Sequence, residues 1–408
     1  MTPWRVPYPK FGDGPGLARV SAIASRLGLD LAAFGACGAV IVGSNGKGST
    51  AAMTASLLET QWIGSVGLFT SPHLFDLNER FRIDGADITD DELGLHWRRV
   101  ADAIDAYQAE SKVRVGGFEF LFLIAADWFA ARGVAHTVWE AGIGGRLDPV
   151  KLIKARSVAL TSLDLEHTEL LGDTLEAIAR DKIEAAPPGA KLFAPADIPV
   201  RQVIASACAE RGVALTLVPP LDADVSLPGA HQRANAALAV ALARDLTAID
   251  ATSIARGLSA TRWPGRLEVI SAAPLAVIDV GHTPGGIAAA LAGFQTLRGE
   301  RPAILVCGAS HDKNVAQMIS VLAPEFDVVI CAQARHKGAA AGEIALYAQR
   351  ANPRAEIIVA ESVTEAHALV FARARAAQAA IYAAGGLFLA AEFKAVHVGR
   401  DPATLAFF

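Results

Sequence analysis

A lysine set among three glycines and small hydroxyl residues is the first place in this chain where chemistry can be read from spacing. Gly43-Ser44-Asn45-Gly46-Lys47-Gly48-Ser49-Thr50 follows the apolar run GAVIVG (38–43) and precedes a stretch of helical period. A strand, a glycine-rich turn and a helix N-terminus together form a phosphate cradle. The glycines permit tight turns, the free N–H groups face an anion, and the lysine neutralises its charge. Asn45, Gly46, Lys47, Gly48, Ser49 and Thr50 are therefore the expected contacts to a nucleotide, with Lys47 acting in catalysis. The spacing is not the common Walker A pattern, because Ile41 stands where its first glycine would fall. The plainer reading is a glycine-rich turn with a surface lysine, and the flanking strand and helix weigh against it.

Other residues of the right kinds lie at the ends of apolar runs. Glu140 closes AHTVWE (135–140), and His167 follows SVALTS (157–162). A carboxylate, an imidazole and a hydroxyl near a triphosphate suit Mg²⁺, with waters completing its octahedron. Lys182, in ARDKIEAA, reads most simply as a solvent-facing helical lysine paired with Glu184 or Asp181. Arg266 lies in the proline- and glycine-broken text TRWPGRLEVISAAP (261–274), and its guanidinium fork suits a developing phosphoryl charge.

Positioning such residues requires strands whose ends collect at one edge. Short apolar runs, including SVGLF (65–69) and KLFAPA (191–196), alternate with helical stretches at 92–108, 120–132, 173–185 and 198–211. Fully apolar strands separated by helices imply a parallel sheet covered on both faces. After the break, a second series follows: LAVID (275–279), PAILVC (302–307), DVVICA (327–332), EIIVA (356–360) and AAIYAAG (379–385). The expectation is an α/β chain with two parts. The first is a large P-loop-type doubly wound domain with a parallel sheet (1–265). The second is a smaller C-terminal Rossmann-like α/β domain (266–408).

Composition narrows the class of function. Of 408 residues, 52% are hydrophobic, charged residues are 19% and mixed in sign, and the net charge is −5. That is no basic footprint for nucleic acid, and no apolar run approaches the ~20 residues of a membrane span. No secretory signal is visible in the first thirty residues. Cys37, Cys208, Cys307 and Cys331 show no CxxC spacing and read as inert core thiols of a cytoplasmic protein.

The motifs resemble, in order along nearly the whole chain, those of the folylpolyglutamate synthase/dihydrofolate synthase family of the Mur ligase superfamily. GSNGKGST is similar to its phosphate loop, Phe69–Leu74 with Asn78-Glu79-Arg80 to TSPHL…NERI, and Phe118-Glu119-Phe120 to a helix start. Glu140–Asp148 resembles EVGLGGRLD, and Thr161–Thr174 resembles TSIGLDHTxxLGDT. His231-Gln232 with Asn235-Ala236 resembles HQxxNA, and Pro264-Gly265-Arg266 resembles PGR. Asp279–Pro284 resembles D(G/V)AHNP, with Thr283 in place of asparagine, and Pro149 follows Asp148 where the family runs on toward an asparagine.

The resemblance implies ATP and Mg²⁺ as cofactors. It implies metal ligation by Ser49, Ser71, Glu140 and His167, and by Lys182 as a carbamate, with His167, Lys182 and Arg266 also serving catalysis. Asn235, Arg266, Asp279 and His282 would meet ATP. Phe75, Asp76 and Phe118 would stack on and hydrogen-bond a pterin. The implied activity joins L-glutamate to dihydropteroate or a reduced folate through an acyl phosphate, in a cytoplasmic monomer. The rival readings are a paralogous Mur-type ligase using another carboxylic acid, an ATP-binding protein without ligase activity, and a simple NTPase or kinase.

Overall fold

The computed structural model describes residues 4–61 and 64–407. They divide into a larger unit, Trp4–Ser226 with Gln232–Arg262, and a second unit, Trp263–Phe407 with Leu227–His231.

In the larger unit, eight strands form one sheet: β1 (Gly38–Val42), β2 (Val66–Phe69), β3 (Phe81–Ile83), β4 (Ala86–Asp87), β5 (His136–Glu140), β6 (Ser157–Leu160), β7 (Lys191–Pro195) and β8 (Ala214–Val218). Their order is β4-β3-β2-β5-β1-β6-β7-β8. The pairs from β2 through β8 are all parallel. Strands β1, β2, β5 and β6 are buried along their whole length, as two-sided coverage demands of unbroken apolar runs. The chain places β5 on one side of β1 and β6 on the other. The C-terminal end of β1 is thus the point where strand order reverses, the usual place for a ligand crevice in an α/β sheet.

The sheet is parallel through β2 to β8, as the sequence leads one to expect, and gains two antiparallel strands at one side. β3 runs antiparallel to β2, and β4 antiparallel to β3. These strands are short, and Arg82 and Asp87 interrupt their apolar text, so an apolar-run criterion passes over them. The edge strand β8 escapes the same criterion, because its positions are exposed or half-buried rather than apolar and covered. The four expected helical stretches coincide with Asp90–Ser111, Gly117–Arg132, Leu175–Ile183 and Arg201–Glu210.

The helix Gly117–Arg132 is apolar on nearly every side and is buried accordingly, from Gly117 through Phe129 save for half-buried Phe118. Its Phe122 and Phe129 rings lie 5.2 and 5.3 Å from that of Trp139 on β5. Each such fully buried side chain contributes about 1.5–3 kcal/mol. An N-terminal strap is stitched to the start of this helix: Gly117 N–H donates to the Pro9 carbonyl at 2.7 Å, and Arg114 grips Asp13 at 2.7 Å. Arg19 meets Glu119 with two bonds of 2.7 Å, and the Tyr8 ring packs, tilted, 4.9 Å from that of Phe120.

The second unit carries a six-stranded sheet ordered β13-β12-β11-β14-β10-β9. Its strands are β9 (Glu268–Ala272), β10 (Leu275–Ile278), β11 (Ala303–Cys307), β12 (Val328–Cys331), β13 (Glu356–Val359) and β14 (Ala380–Ala384). β10 to β14 are those expected from the apolar runs. β9 is an addition: the text around 261–274, read as a break, contains a strand antiparallel to β10. The rings of Phe294 and Tyr382 stack at 4.3 Å in its core.

Three of the four thiols are buried as expected, but Cys37 is exposed. It closes the short helical turn Leu31–Cys37 just before β1, outside the sheet's cover. Among the described residues no single helix is long and apolar enough to cross a membrane.

Candidate functional site

The phosphate loop leaves β1 at the reversal point of the strand order. Gly43 and Gly46 adopt φ of +146° and +85°. A Cβ on Gly43 would strike the Thr161 hydroxyl, and one on Gly46 the Asn235 side-chain oxygen, so both positions require glycine. The loop is braced from β6. Thr161 and Ser162 hydroxyls donate to the Asn45 carbonyl at 2.6 and 3.0 Å, and Asn45 N–H donates to Ser162 Oγ at 2.8 Å. Lys47 opens the helix Lys47–Glu59, with Ser49 and Thr50 buried in its first turn. Lys47 Nζ curls back to the carbonyls of Gly43 and Ser44, at 2.8 and 3.2 Å.

Beside this loop, Glu140 ends β5, in register with Ile41 of β1, and is 4% exposed. Its Oε2 accepts the Ser71 N–H at 2.9 Å, which brings the end of β2 to the end of β5. Thus Ser71 and Glu140, far apart in sequence, meet at one edge of the sheet.

Lys182 does not behave as the surface lysine of the simpler reading. It is 1% exposed, and its Nζ donates to Glu166 at 2.9 Å and to the Gly43 carbonyl at 3.1 Å. The partners suggested for it are engaged elsewhere. Asp181 accepts from Gly145 N–H and Arg146, and Glu184 pairs with Lys151 at 2.8 Å. Burial pushes the Glu166 carboxyl up, but the charges of Lys47 and Lys182 outweigh it and hold Glu166 at about 2. Burial pulls Lys182 down, with Glu166 opposing. His167 follows Glu166 in a left-handed conformation (φ +47°), half-buried at the head of the short helix Thr168–Leu171.

Asp148 sits in the turn after β5. Its carboxylate accepts N–H bonds from Gly142, Ile143 and Val150 at 2.8–3.1 Å. Burial nevertheless raises it to about 6, against those donors and Lys47. Asp148 also caps the short helical turn Pro149–Ile153, which occupies the stretch where the resemblance leads one to look for an asparagine.

Of the residues expected near a pterin, Phe118 lies half-buried against Gly142, where a Cβ would come within 2.9 Å of its ring, and 5.7 Å from Phe69. Phe75 and exposed Asp76 lie on a loop wrapped around Glu79, whose carboxylate accepts N–H bonds from Leu74, Phe75 and Asp76 at 2.7–3.0 Å.

Arg266, Asp279 and His282 belong to the second unit. Asp279 accepts from Leu267 and Gly281 N–H at 3.0 and 2.7 Å; burial raises its carboxyl and the Arg266 charge opposes this. His282 Nδ1 lies 3.4 Å from the Val280 carbonyl. Thr283, the departure from the family's asparagine, caps the helix Pro284–Arg298 by accepting from Gly286 N–H at 3.1 Å. Threonine is itself a good N-cap, so the exchange keeps that helix start.

Asp148, Glu166 and Arg80 carry no role in the sequence reading, though each lies inside a motif that it singled out. Asp148 stands out only as a charge after a glycine-rich turn, while Glu166 and Arg80 lie among other charged residues and carry no signal of their own.

As donor types, the hydroxyls of Ser49 and Ser71, the Glu140 carboxylate and the His167 imidazole expected from the sequence are mostly hard oxygens. Among the described residues no group of three or more His, Cys, Asp or Glu could hold a metal by itself. Such a set fits Mg²⁺, which keeps waters and nucleotide phosphates in its shell, better than a metal needing a full protein cage.

Residues 265–386 match the family model described as Mur ligase, glutamate ligase domain. A Halobacterium salinarum protein, described as a probable bifunctional folylpolyglutamate synthase/dihydropteroate synthase, is 32% identical over 94% of this chain and 49% of its own length. The chain thus spans about half of that relative. The fold is similar to a Mycobacterium tuberculosis folylpolyglutamate synthase complexed with ADP and AMPPCP, with a TM-score of 0.87 and 26% identity over 95% of this chain and 96% of the other. It is also similar to a Yersinia pestis bifunctional folylpolyglutamate synthase/dihydrofolate synthase complexed with AMPPNP and Mn, with a TM-score of 0.80 and 26% identity over 94% and 93%.

Proposed function

We propose that the chain is a member of the folylpolyglutamate synthase/dihydrofolate synthase family of the Mur ligase superfamily and acts as an ATP-dependent amide ligase, a reading supported by the glutamate ligase match and the similar chains above. It joins L-glutamate to dihydropteroate or a reduced folate. The observation that carries this reading is the gathering, at the ends of β1, β2, β5 and β6, of the phosphate loop, Ser71, Glu140 and the Glu166–Lys182 pair. Residues 1–265 are assigned to ATP binding and 266–408 to the ligase part, a division supported by the glutamate ligase match at 265–386. The protein acts as a cytoplasmic monomer on small molecules.

ATP with Mg²⁺ supplies the phosphoryl group and neutralises its charge. The acid's carboxylate oxygen bonds to the γ-phosphorus as the bond to ADP breaks. The amine of glutamate then bonds to the acyl carbon, phosphate leaves, and the amine proton is lost. Asn45, Gly46, Gly48 and Thr50 bind phosphate through the loop, and Asn235 braces it at Gly46. Lys47 exchanges the carbonyls of its own loop for phosphate oxygens. Phosphoryl transfer rests on such positioning and charge rather than on covalent help. Ser49, Ser71, Glu140 and His167 would hold the metal. Lys182 would join them as a carbamate, its burial favouring the neutral amine that bonds to CO₂ and sheds a proton. Arg266, Asp279 and His282 are assigned to nucleotide binding, and Phe75, Asp76 and Phe118 to the pterin.

The test is phosphate release followed with ATP, Mg²⁺, L-glutamate and either dihydropteroate or a reduced folate, with product mass. Release that depends on both acid and glutamate is expected, and Lys47→Ala should abolish it in a folded protein. Glutamate-dependent release with no pterin acid accepted would move the assignment to a paralogous ligase. Bound ATP with no turnover for any amino acid would end the ligase reading.

A further inference from the structure

Arg80 is a buried charge that the reaction scheme leaves unused. It closes the helical turn Leu77–Arg80 ahead of β3 and is 4% exposed. Removing a guanidinium from water costs several kcal/mol unless it is well partnered. Its Nε donates to His73 Nδ1 at 2.9 Å, and its own carbonyl accepts from Thr70 N–H at 3.0 Å. Because Nδ1 accepts this bond, His73 is neutral with its proton on Nε2.

The segment between these contacts is the one that meets Glu140. Thr70 is held by the Arg80 carbonyl, Ser71 by Glu140, His73 by the Arg80 side chain, and Leu74 to Asp76 by Glu79. Burial draws Arg80 down to about 9, and the two charges that act to keep it ionised are Glu140 and Glu79. Those two carboxylates are the one that receives the Ser71 N–H at the end of β5 and the one that shapes the following loop.

We propose that Arg80 is a positioning residue, whose guanidinium pins the Ser71–His73 turn against Glu140 and so fixes the Ser71 hydroxyl and the Glu140 carboxylate at the spacing that receives a divalent cation. The inference rests on the metal-dependent ligase reading above. A lysine at this position would keep a charge but lose the directed Nε–H bond.

Mn²⁺ binding, measured by electron paramagnetic resonance with a non-hydrolysable ATP analogue, tests this separately from turnover. In Arg80→Lys, checked for folding by its melting temperature, Mn²⁺ affinity should fall about tenfold or more, the usual scale for a partner of metal ligands. His73→Phe, which removes the acceptor but leaves Arg80, should shift affinity the same way, while His73→Gln, which retains an acceptor, should bind nearly as the parent does. Parental affinity in folded Arg80→Lys overturns the proposal. Should that variant not fold, parental affinity in His73→Phe overturns it instead. A parent protein that binds no Mn²⁺ with nucleotide and shows no glutamate-dependent turnover would bring down the ligase reading itself.

Discussion

Asp148 is a carboxylate held where burial disfavours its charge. Its three N–H donors and Lys47 favour the anion, yet burial wins and lifts it from 3.8 to about 6. A group that binds its proton more tightly when folded contributes stability fully below the unfolded value, and loses it as pH climbs through the folded one. Between pH 4 and 6 the parent should thus give up about 2 kcal/mol, most of what a shift of about two units at 1.36 kcal/mol each can supply. Denaturant midpoints measured across that range should show a flatter slope in Asp148→Asn than in the parent; equal slopes would assign the pH dependence elsewhere. At the same scale, Lys182 shows where the sequence falls short. A lysine flanked by Asp181 and Glu184 reads as an exposed helical residue, and only the fold shows that Glu166, sixteen positions earlier, is its partner.

At the scale of elements, the turn before the helix Lys47–Glu59 depends on a left-handed Gly46 packed against Asn235 of the helix His231–Leu246. Gly46→Ala adds backbone strain of about 1–3 kcal/mol and a collision with that side chain. Isothermal titration with an ATP analogue should show affinity lowered tenfold or more, since each 1.4 kcal/mol is a factor of ten. Undiminished binding would mean that the loop does not cradle phosphate. The glycines of this loop were legible because an unusual backbone leaves a residue-type signature. So were the buried parallel strands, whose apolar text has no other explanation in a chain of this composition. The antiparallel β3, β4 and β9 were not legible, because short, half-covered strands at or next to a sheet edge mix polar with apolar residues and so resemble loops. The meeting of Ser71 with Glu140 was not legible from strand patterns either. It follows from β5 being inserted between β2 and β1, and local sequence does not encode strand order.

Across the whole molecule, the thiols offer a direct check on the packing of both units. Cys37 is exposed while Cys208, Cys307 and Cys331 are buried. A native sample treated with a thiol reagent should show one fast-reacting group, with three more appearing only on unfolding. Fast reaction of two or more would contradict the burial described for the sheets. A practical consequence follows from the N-terminal strap. Pro9 and Asp13 are bonded to the residues that launch the helix bearing Phe118, and Arg19 grips Glu119, the residue after it. A protease clip, a fusion partner or a trimmed start near residue 13 would therefore act like a substitution at a distance. It would loosen an aromatic wall of the larger unit while leaving every motif residue in place, and a preparation with an altered front end would be a poor standard for comparing acid substrates.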